Sequence, residues 1–255
     1  MHGTIEGNGL WVARGGHGDR VAVLLHGLGA TASVWAGVAA ALEARGWRWI
    51  APDLRGHGRS RGDGPFGFGN HAADIALLLD GVDPGAVTLL GHSFGGVVGA
   101  LLCGGLFGPV PARLVTLGVK IDWTEDEIAG AQAMARRPVS WFDTEDDARA
   151  RHAKLSGLAG LVAPGAPELD GGVRAESGRW RLAMAPGVFG AVGPSVEAIL
   201  RASRAPLTIA AGAEDPMVSL ETMRRISAEA TALPGLPHNA HVAAPGTIAA
   251  LVDAA

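Results

Sequence analysis

The chain has 255 residues, of which 48% are hydrophobic and 18% charged, and its formal net charge is -4. This composition predicts a globular protein with one large core and excludes the basic surface that nucleic acids require. No apolar run reaches the roughly 20 residues that span a bilayer, and the N-terminus lacks a basic region followed by an apolar stretch. We therefore expect a cytoplasmic protein with a small-molecule substrate, no membrane partner and no nucleic-acid partner; its oligomeric state stays open.

Short apolar runs alternate with helical segments along most of the chain. This alternation is typical of parallel strands joined by crossover helices and predicts an α/β fold with a mostly parallel, doubly wound sheet. A hairpin is expected near residues 3–13, and further strands at residues 21–26, 48–52, 87–91, 113–117, 207–211 and 231–233. Helices are expected at residues 31–45, 70–81, 94–105, 220–229 and 245–252.

The loop after the strand at residues 21–26 reads His26-Gly27-Leu28-Gly29 and opens onto a helix. Backbone N–H groups in such a loop can point toward the mouth of the sheet and receive a developing negative charge. The amides of Leu28 and Phe94 are the candidate pair of donors. His26 itself is expected to hold this loop in place rather than to transfer protons.

The segment at residues 87–96 joins an apolar strand to a small-residue helix through Gly91-His92-Ser93-Phe94-Gly95. A serine on a sharp turn between strand and helix is raised from the backbone, and only glycine-sized residues fit two places to either side. The pattern is weak evidence in a chain with 39 glycines, and Gly58-Arg59-Ser60-Arg61-Gly62 also satisfies it. Because no buried strand precedes the second match and no helix follows it, context selects Ser93 as the candidate nucleophile.

The helix after Ser93 carries the single cysteine, Cys103. One cysteine cannot form an internal disulfide, and this position falls on the buried side of the helix. We expect Cys103 to be a small core residue.

Residues 123–195 interrupt the alternation, with no convincing strand. Thr124 and Thr144 each stand three residues before an acid, which is typical of a helix start with a capping box. We predict an inserted helical lid at residues 123–195, with a loop-like second half, on a core formed by residues 1–122 and 196–255. Aromatic residues in the insertion either line a substrate pocket or attach the insertion to the core, and the candidates for substrate binding are Trp123, Trp141, Phe142 and Trp180.

A serine nucleophile needs an imidazole base and a carboxylate that orients the base. The strand at residues 207–211 is followed by Glu214 and Asp215, and a carboxylate just beyond the carboxyl end of a strand is well placed to reach the site. Asp215 is the preferred acid because Pro216 favours a rigid turn after it. Glu214 and Asp122 remain alternatives.

Two histidines follow the last predicted strand. His238 comes first and can turn inward, so it is the candidate base, whereas His241 is expected to support the loop through a hydrogen bond. Their spacing is not that of a metal-binding HExxH helix, and no cysteine or acidic cluster lies nearby in the sequence to complete a site. We therefore expect no metal and no other cofactor.

Four motifs occur in the order found in one large family. They are His26-Gly27-Leu28-Gly29, Asp53-Leu54-Arg55-Gly56-His57-Gly58-Arg59-Ser60, Gly91-His92-Ser93-Phe94-Gly95-Gly96, and the late pair of Asp215 and His238. The chain resembles lid-containing, esterase-like serine hydrolases of the α/β-hydrolase fold from about residue 9 to residue 252. The resemblance implies a catalytic triad, favours the histidine seven residues before Pro245, and makes the arginine-rich second motif a structural loop.

The resemblance also implies an activity. A carboxylesterase-like member would cleave a small, fairly apolar ester, lactone or thioester through an acyl-enzyme intermediate. The same triad also serves carbon–carbon bond hydrolases that act on ring-cleavage diketones, and acyl-transfer or lyase enzymes share the scaffold. A ligand receptor that keeps the fold without turnover is the alternative from another class.

Overall fold

The computed structural model describes residues 1–254 and contains a central sheet of eight strands and a smaller sheet of three. In chain order the strands are β1 (Gly3–Ile5), β2 (Trp11–Gly16), β3 (Val21–Leu25), β4 (Arg48–Pro52), β5 (Val87–His92), β6 (Arg113–Leu117), β7 (Trp141–Phe142), β8 (Val173–Glu176), β9 (Arg179–Leu182), β10 (Leu207–Gly212) and β11 (Thr231–Leu233). Strands β7, β8 and β9 form the small sheet.

The central sheet has the order β1-β2-β4-β3-β5-β6-β10-β11. The first two strands form the predicted antiparallel hairpin, β2 pairs antiparallel with β4, and the strands from β4 to β11 are parallel. The register places Leu25 opposite Gly91 and His92 opposite Leu117. Because parallel strands end at one edge of a sheet, the loops after β3, β5, β6 and β10 meet there.

Residues 1–254 form nine α-helices. They are α1 (Ala36–Glu43), α2 (Phe68–Leu78), α3 (Phe94–Cys103), α4 (Glu125–Ala135), α5 (Glu145–Leu155), α6 (Val196–Arg201), α7 (Leu220–Arg224), α8 (Ala240–Ala243) and α9 (Pro245–Ala254). Alternate residues of β3 pack into different core layers, with Val23 in the layer of α2 and α3 and Leu24 in the layer of α1 and α9. Since neighbouring strand residues point to opposite faces, the sheet is doubly wound as predicted.

Two predicted helices differ from the observed ones. The helix expected at residues 31–45 begins with a 3₁₀ turn at Ala32–Trp35, and α7 ends five residues before the predicted end. The chain turns after α7 because Ala230 N–H bonds to the Ser227 carbonyl, which leads directly into β11. None of the helices in residues 1–254 combines the length and the apolar character needed to cross a bilayer.

Cys103 lies at the end of α3 and is fully buried, as expected. Burial raises the pKa of its thiol to about 12. The thiol is therefore protonated at neutral pH, which is typical of an inert core cysteine.

Residues 123–195, which the sequence predicts to be an insertion, contain both predicted helix starts. Thr124 and Glu127 form a reciprocal capping box at α4, and the Thr144 hydroxyl accepts a hydrogen bond from Asp147 N–H at 3.1 Å at α5. The expectation that the second half is loop-like is wrong, since β8 and β9 form a hairpin there and β9 also pairs with β7. The turn residue Ser177 adopts a φ of 51° before a glycine, a conformation typical of a two-residue hairpin turn.

Candidate active site

Ser93 lies on the sharp turn between β5 and α3. Its φ of 48° and ψ of -114° are rare for a residue with a side chain. The turn closes because its neighbours are glycines: a Cβ on Gly95 would lie 2.2 Å from the Leu25 carbonyl oxygen, and one on Gly91 would lie 2.4 Å from the Gly95 carbonyl oxygen. Strained backbone of this kind persists only where packing enforces it, and it is common at functional sites.

Asp215 and His238 form a hydrogen-bonded pair on the loops after β10 and β11. His238 Nδ1 lies 2.6 Å from Asp215 Oδ2, and Asp215 Oδ1 accepts a hydrogen bond from Met217 N–H at 2.8 Å. The Asp215 side chain is fully buried, whereas the His238 side chain is 18% exposed. A carboxylate bonded to Nδ1 keeps a proton there and leaves Nε2 free to accept one.

The two alternative acids lie elsewhere. Asp122 is 64% exposed and pairs with Arg225 at 2.5 Å. Glu214 is exposed, and its side chain forms no hydrogen bond within residues 1–254. Of the three carboxylates considered from the sequence, the structure brings only Asp215 to His238.

Ser93 and His238 line the same cavity, which has a volume of about 560 Å³. Leu28 and Phe94 also line it. None of the hydrogen bonds among the described residues joins Ser93 Oγ to His238 Nε2. Such a bond between nucleophile and base often tightens only in the substrate complex. The loops thus bring the hydroxyl, the imidazole and the two candidate amides to one cavity.

The two candidate amides have no competing acceptor. Leu28 N–H donates to no acceptor within residues 1–254. Phe94 N–H is the first of α3 and belongs to the N–H groups that a helix cannot satisfy internally. Among the described residues, both N–H groups thus remain without an acceptor at residues that line the cavity.

His26 and His57 hold the loop that carries Leu28. His26 Nε2 accepts a hydrogen bond from Leu54 N–H at 2.9 Å, so its Nδ1 carries the proton and donates to the Gly27 carbonyl at 2.8 Å. The structural role expected of His26 is confirmed. His57 Nε2 accepts from Gly29 N–H at 3.2 Å, a contact that sequence reasoning missed.

Burial keeps these two imidazoles neutral. Desolvation lowers the pKa of His57 to about 4, and desolvation together with the nearby His57 lowers the pKa of His26 well below 6.5. Neutral rings can accept the backbone N–H bonds that an imidazolium cannot. The lowered pKa values of His26 and His57 therefore agree with the hydrogen bonds that the two rings accept from Leu54 N–H and Gly29 N–H.

The second match to the serine pattern is structural. The Ser60 hydroxyl is buried, accepts a hydrogen bond from Trp11 N–H at 2.8 Å and donates to the Asp53 carbonyl. Arg59 pairs with the Asp53 carboxylate at 2.7 Å and lies 3.4 Å above the Trp11 ring. Because the Ser60 hydroxyl already bonds to two backbone groups, Ser93 remains the candidate nucleophile of the two serines.

Only one of the four aromatic residues proposed for substrate binding lines the cavity. Trp123 does so, whereas Trp141, Phe142 and Trp180 lie on the small sheet, where Phe142 pairs with Trp180. Those three assignments need correction because the pairing of β7 with β9 places the residues in the small sheet, outside the cavity wall.

Most of the remaining cavity wall was missed from the sequence. Apolar side chains of the insertion and its flanks form it, among them Met134, Leu155, Phe189 and Val192. On α4, Glu127, Gly130, Ala131 and Met134 all line the cavity. Their helical spacing along one face is a signal that could have identified this wall.

His241 does not support its loop as expected. It is buried, and neither ring nitrogen has a hydrogen-bond partner within residues 1–254. Its ring packs 4.4 Å from the rings of Trp35 and His92. His241 therefore contributes packing rather than a hydrogen bond.

Residues 1–254 contain no cluster of three or more histidine, cysteine or acidic side chains with metal-binding geometry.

Comparison with known proteins identifies the family. A family model of the alpha/beta hydrolase fold matches residues 21–247. The putative carbamate hydrolase RutD of Variovorax paradoxus is 34% identical over 125 residues, which are 48% of this chain and 46% of that protein. The chain spans less than half the length of the first curated relatives that it matches.

Two solved structures share the whole fold. E-2-(acetamidomethylene)succinate hydrolase superposes with a TM-score of 0.79 at 19% identity, covering 96% of this chain and 94% of that chain. The thioesterase domain from the curacin biosynthetic pathway superposes with a TM-score of 0.78 at 18% identity, covering 95% and 94%. With the family model, these likenesses lead to one conclusion: the chain belongs to the α/β-hydrolase fold family.

Proposed function

We propose that this protein is a serine hydrolase that cleaves small, fairly apolar carboxylic esters, lactones or thioesters through an acyl-enzyme. The observation that carries the proposal is the hydrogen-bonded pair of the buried Asp215 and His238, joined at 2.6 Å, with His238 lining the same cavity as Ser93. A base held in this way is the partner that a serine hydroxyl needs to become a nucleophile.

In the first half of the reaction, Ser93 Oγ attacks the substrate carbonyl carbon while His238 Nε2 removes the hydroxyl proton. Asp215 stabilises the resulting imidazolium, and the amides of Leu28 and Phe94 bind the oxyanion. Collapse of the tetrahedral intermediate breaks the bond to the leaving alcohol or thiol, which takes the proton from His238. The acyl group is left on Ser93.

In the second half, His238 removes a proton from water, and the hydroxide attacks the acyl carbon. Collapse of the second intermediate returns the proton to Ser93 Oγ and releases the carboxylic acid. Throughout both halves the proton moves only between the reacting oxygens or sulfur and His238 Nε2.

The cavity supports a small apolar acyl group. Its volume is about 560 Å³, within the range typical of small-molecule sites, and its wall is mainly apolar. The names of the relatives agree with hydrolysis of a carbonyl bond, since they include a putative carbamate hydrolase and a thioesterase domain.

The test is labelling with a fluorophosphonate probe, followed by a panel of p-nitrophenyl esters, thioesters and ring-cleavage diketones. We expect Ser93→Ala to abolish labelling and to lower kcat by at least about 10³-fold, as loss of a serine nucleophile does in other hydrolases. Ser60→Ala is the matched control from the second serine pattern, and it should keep both labelling and turnover per folded molecule.

Retained turnover in Ser93→Ala would overturn the proposal. Labelling of Ser93 without consumption of any ester, thioester or diketone would instead favour a receptor. Consumption of the diketones alone would move the assignment to carbon–carbon bond hydrolysis.

A further inference from the structure

His92, the residue before the proposed nucleophile, lies between two loops of the site. Its side chain is buried, and Nε2 lies 3.0 Å from the backbone oxygen of His238. The two rings pack with centroids 4.6 Å apart. On the other side of the ring, a Cβ on Gly27 would lie 2.7 Å from His92 Nδ1. One imidazole thus contacts the loop of the base and the loop of the candidate oxyanion donor.

The position of the proton on His92 follows from its surroundings. Burial, with the neighbouring His241 and His238, lowers the pKa of His92 well below 6.5, so the ring is neutral at pH 7 and carries one N–H. A carbonyl oxygen only accepts hydrogen bonds, which assigns that proton to Nε2. Nδ1 has no partner within residues 1–254. His92 therefore donates its single hydrogen bond to the backbone of His238.

We infer that His92 is a positioning residue for the base, an inference that rests on the proposed function. The bond ties the backbone of residue 238 to the last residue of β5, which directly precedes Ser93. Asp215 orients the imidazole of His238, whereas His92 holds the backbone from which that imidazole extends. The bond from Asp215 fixes the rotation of the His238 ring, and the bond from His92 fixes the position of the His238 backbone. Together they set the distance from the Ser93 hydroxyl to His238 Nε2.

The chain offers a control for this role. His241 is also buried and packs against the same series of tilted rings, 4.4 Å from His92, but neither of its nitrogens has a hydrogen-bond partner within residues 1–254. Replacing His241 changes ring packing without removing a hydrogen bond. Replacing His92 also removes the hydrogen bond to the His238 backbone, unless the new side chain keeps a donor.

The experiment compares His92→Phe, His92→Gln and His241→Phe by steady-state kinetics on the best p-nitrophenyl ester. His92→Phe keeps a ring but no donor, and we expect kcat to fall about 10- to 100-fold with KM nearly unchanged, since small misplacement of a catalytic group has costs of that order. His92→Gln keeps an N–H near the Nε2 position and should recover most of that loss. His241→Phe should stay close to the wild type.

Equal losses in His92→Phe and His92→Gln, or full activity in His92→Phe, would overturn the inference. A separate measurement needs no turnover: the ¹⁵N shifts of the His92 imidazole in the wild-type protein should show a protonated Nε2 and an unprotonated Nδ1. The opposite tautomer would overturn the inference even if every variant failed to fold. Failure of the proposed function would appear differently, as wild-type turnover that Ser93→Ala does not reduce.

Discussion

The central sheet and residues 123–195 differ in how tightly they pack. We call the sheet edge where the loops after β3, β5, β6 and β10 meet the catalytic edge, and residues 123–195 the insertion. At the edge, a methyl group added to Gly95 would lie 2.2 Å from a backbone oxygen, so no larger residue fits. In the insertion, α4 has no buried residue, and a Cβ on Gly130 would meet no atom within 4 Å. Both regions line the same cavity.

This difference separates chemistry from selection. The proton transfer that we propose between Ser93 and His238 requires positions held to a fraction of an ångström, which close backbone packing provides. Acyl-group selection requires an apolar wall of suitable size, and a loosely packed helix provides that wall while tolerating substitution. Variants in the two regions should therefore differ in kind as well as in magnitude.

The largest expected effect is at the acid. Asp215→Asn removes the carboxylate that holds the His238 tautomer. We expect kcat to fall by about 10⁴-fold with the fold intact, as it does when the triad aspartate of a serine protease is changed to asparagine. Steady-state kinetics with circular dichroism checks both parts. Asp122→Asn, which loses only an exposed ion pair, should change kcat less than about twofold; the reverse ranking would assign the acid to Asp122.

The second effect is on stability against acid. Six buried histidines have a lowered pKa in the folded protein, with values of about 4 for His57 and His152 and about 3 for His71 and His241, and well below 6.5 for His26 and His92. At pH values between these folded-state pKa values and about 6.5, the unfolded chain binds more protons than the folded one. The free energy of unfolding is therefore highest above pH 6.5 and decreases as the pH falls.

Each of these histidines should contribute about 1 kcal/mol of lost stability between pH 7 and pH 5.5. Urea unfolding at a series of pH values measures the sum, which we expect to reach several kcal/mol. Five of the six buried histidines lie outside residues 123–195, and the sixth, His152, lies within them. His241→Phe should reduce the pH slope, and a free energy of unfolding that is flat from pH 7 to pH 5.5 would contradict the prediction.

The third effect contrasts one glycine from each region. Gly95→Ala forces a methyl group against the Leu25 carbonyl and should lower the free energy of unfolding by about 1–3 kcal/mol or more. Gly130→Ala places a better helix former in an open position and should raise it by up to about 1 kcal/mol. Denaturant unfolding measures both, and equal changes in the two variants would remove the distinction between the regions.

The smallest effect is on selectivity. Met134→Ala enlarges the cavity wall in the insertion and should shift the ratio of kcat/KM for long and short acyl esters by about 10-fold toward the longer ones. Trp141→Ala is the matched control, because Trp141 lies on the small sheet and does not line the cavity. A shift of the same size in Trp141→Ala would show that the insertion acts through its overall stability.

Much of the catalytic edge could be predicted from local patterns. The strands Arg48–Pro52, Arg113–Leu117 and Thr231–Leu233 have the predicted bounds, since continuous apolar runs between turn residues have few other ways to bury themselves. The glycines around Ser93 identify the turn because the conformation tolerates almost nothing else. Asp215 and His238 follow from strand ends, which the parallel sheet brings to one edge.

The insertion was harder to predict. Two capped helices are visible from short-range hydroxyl and acid spacing, but the strands β8 and β9 are only four residues long, so the local sequence predicts a loop where the structure has a hairpin. The direction of Trp141, Phe142 and Trp180 depends on pairing between strands more than 30 residues apart. Such pairing leaves no local pattern in the chain.

The sequence by itself determined the fold class, the position of the candidate nucleophile and the strand ends that carry its partners, because each depends on near neighbours along the chain. The tertiary structure alone decided which carboxylate reaches His238, which aromatic residue lines the cavity, and that His57 and His92 bond to backbone groups of distant loops. Those contacts join segments between 23 and 146 residues apart, and their geometry exists only once the sheet has set the register of its strands.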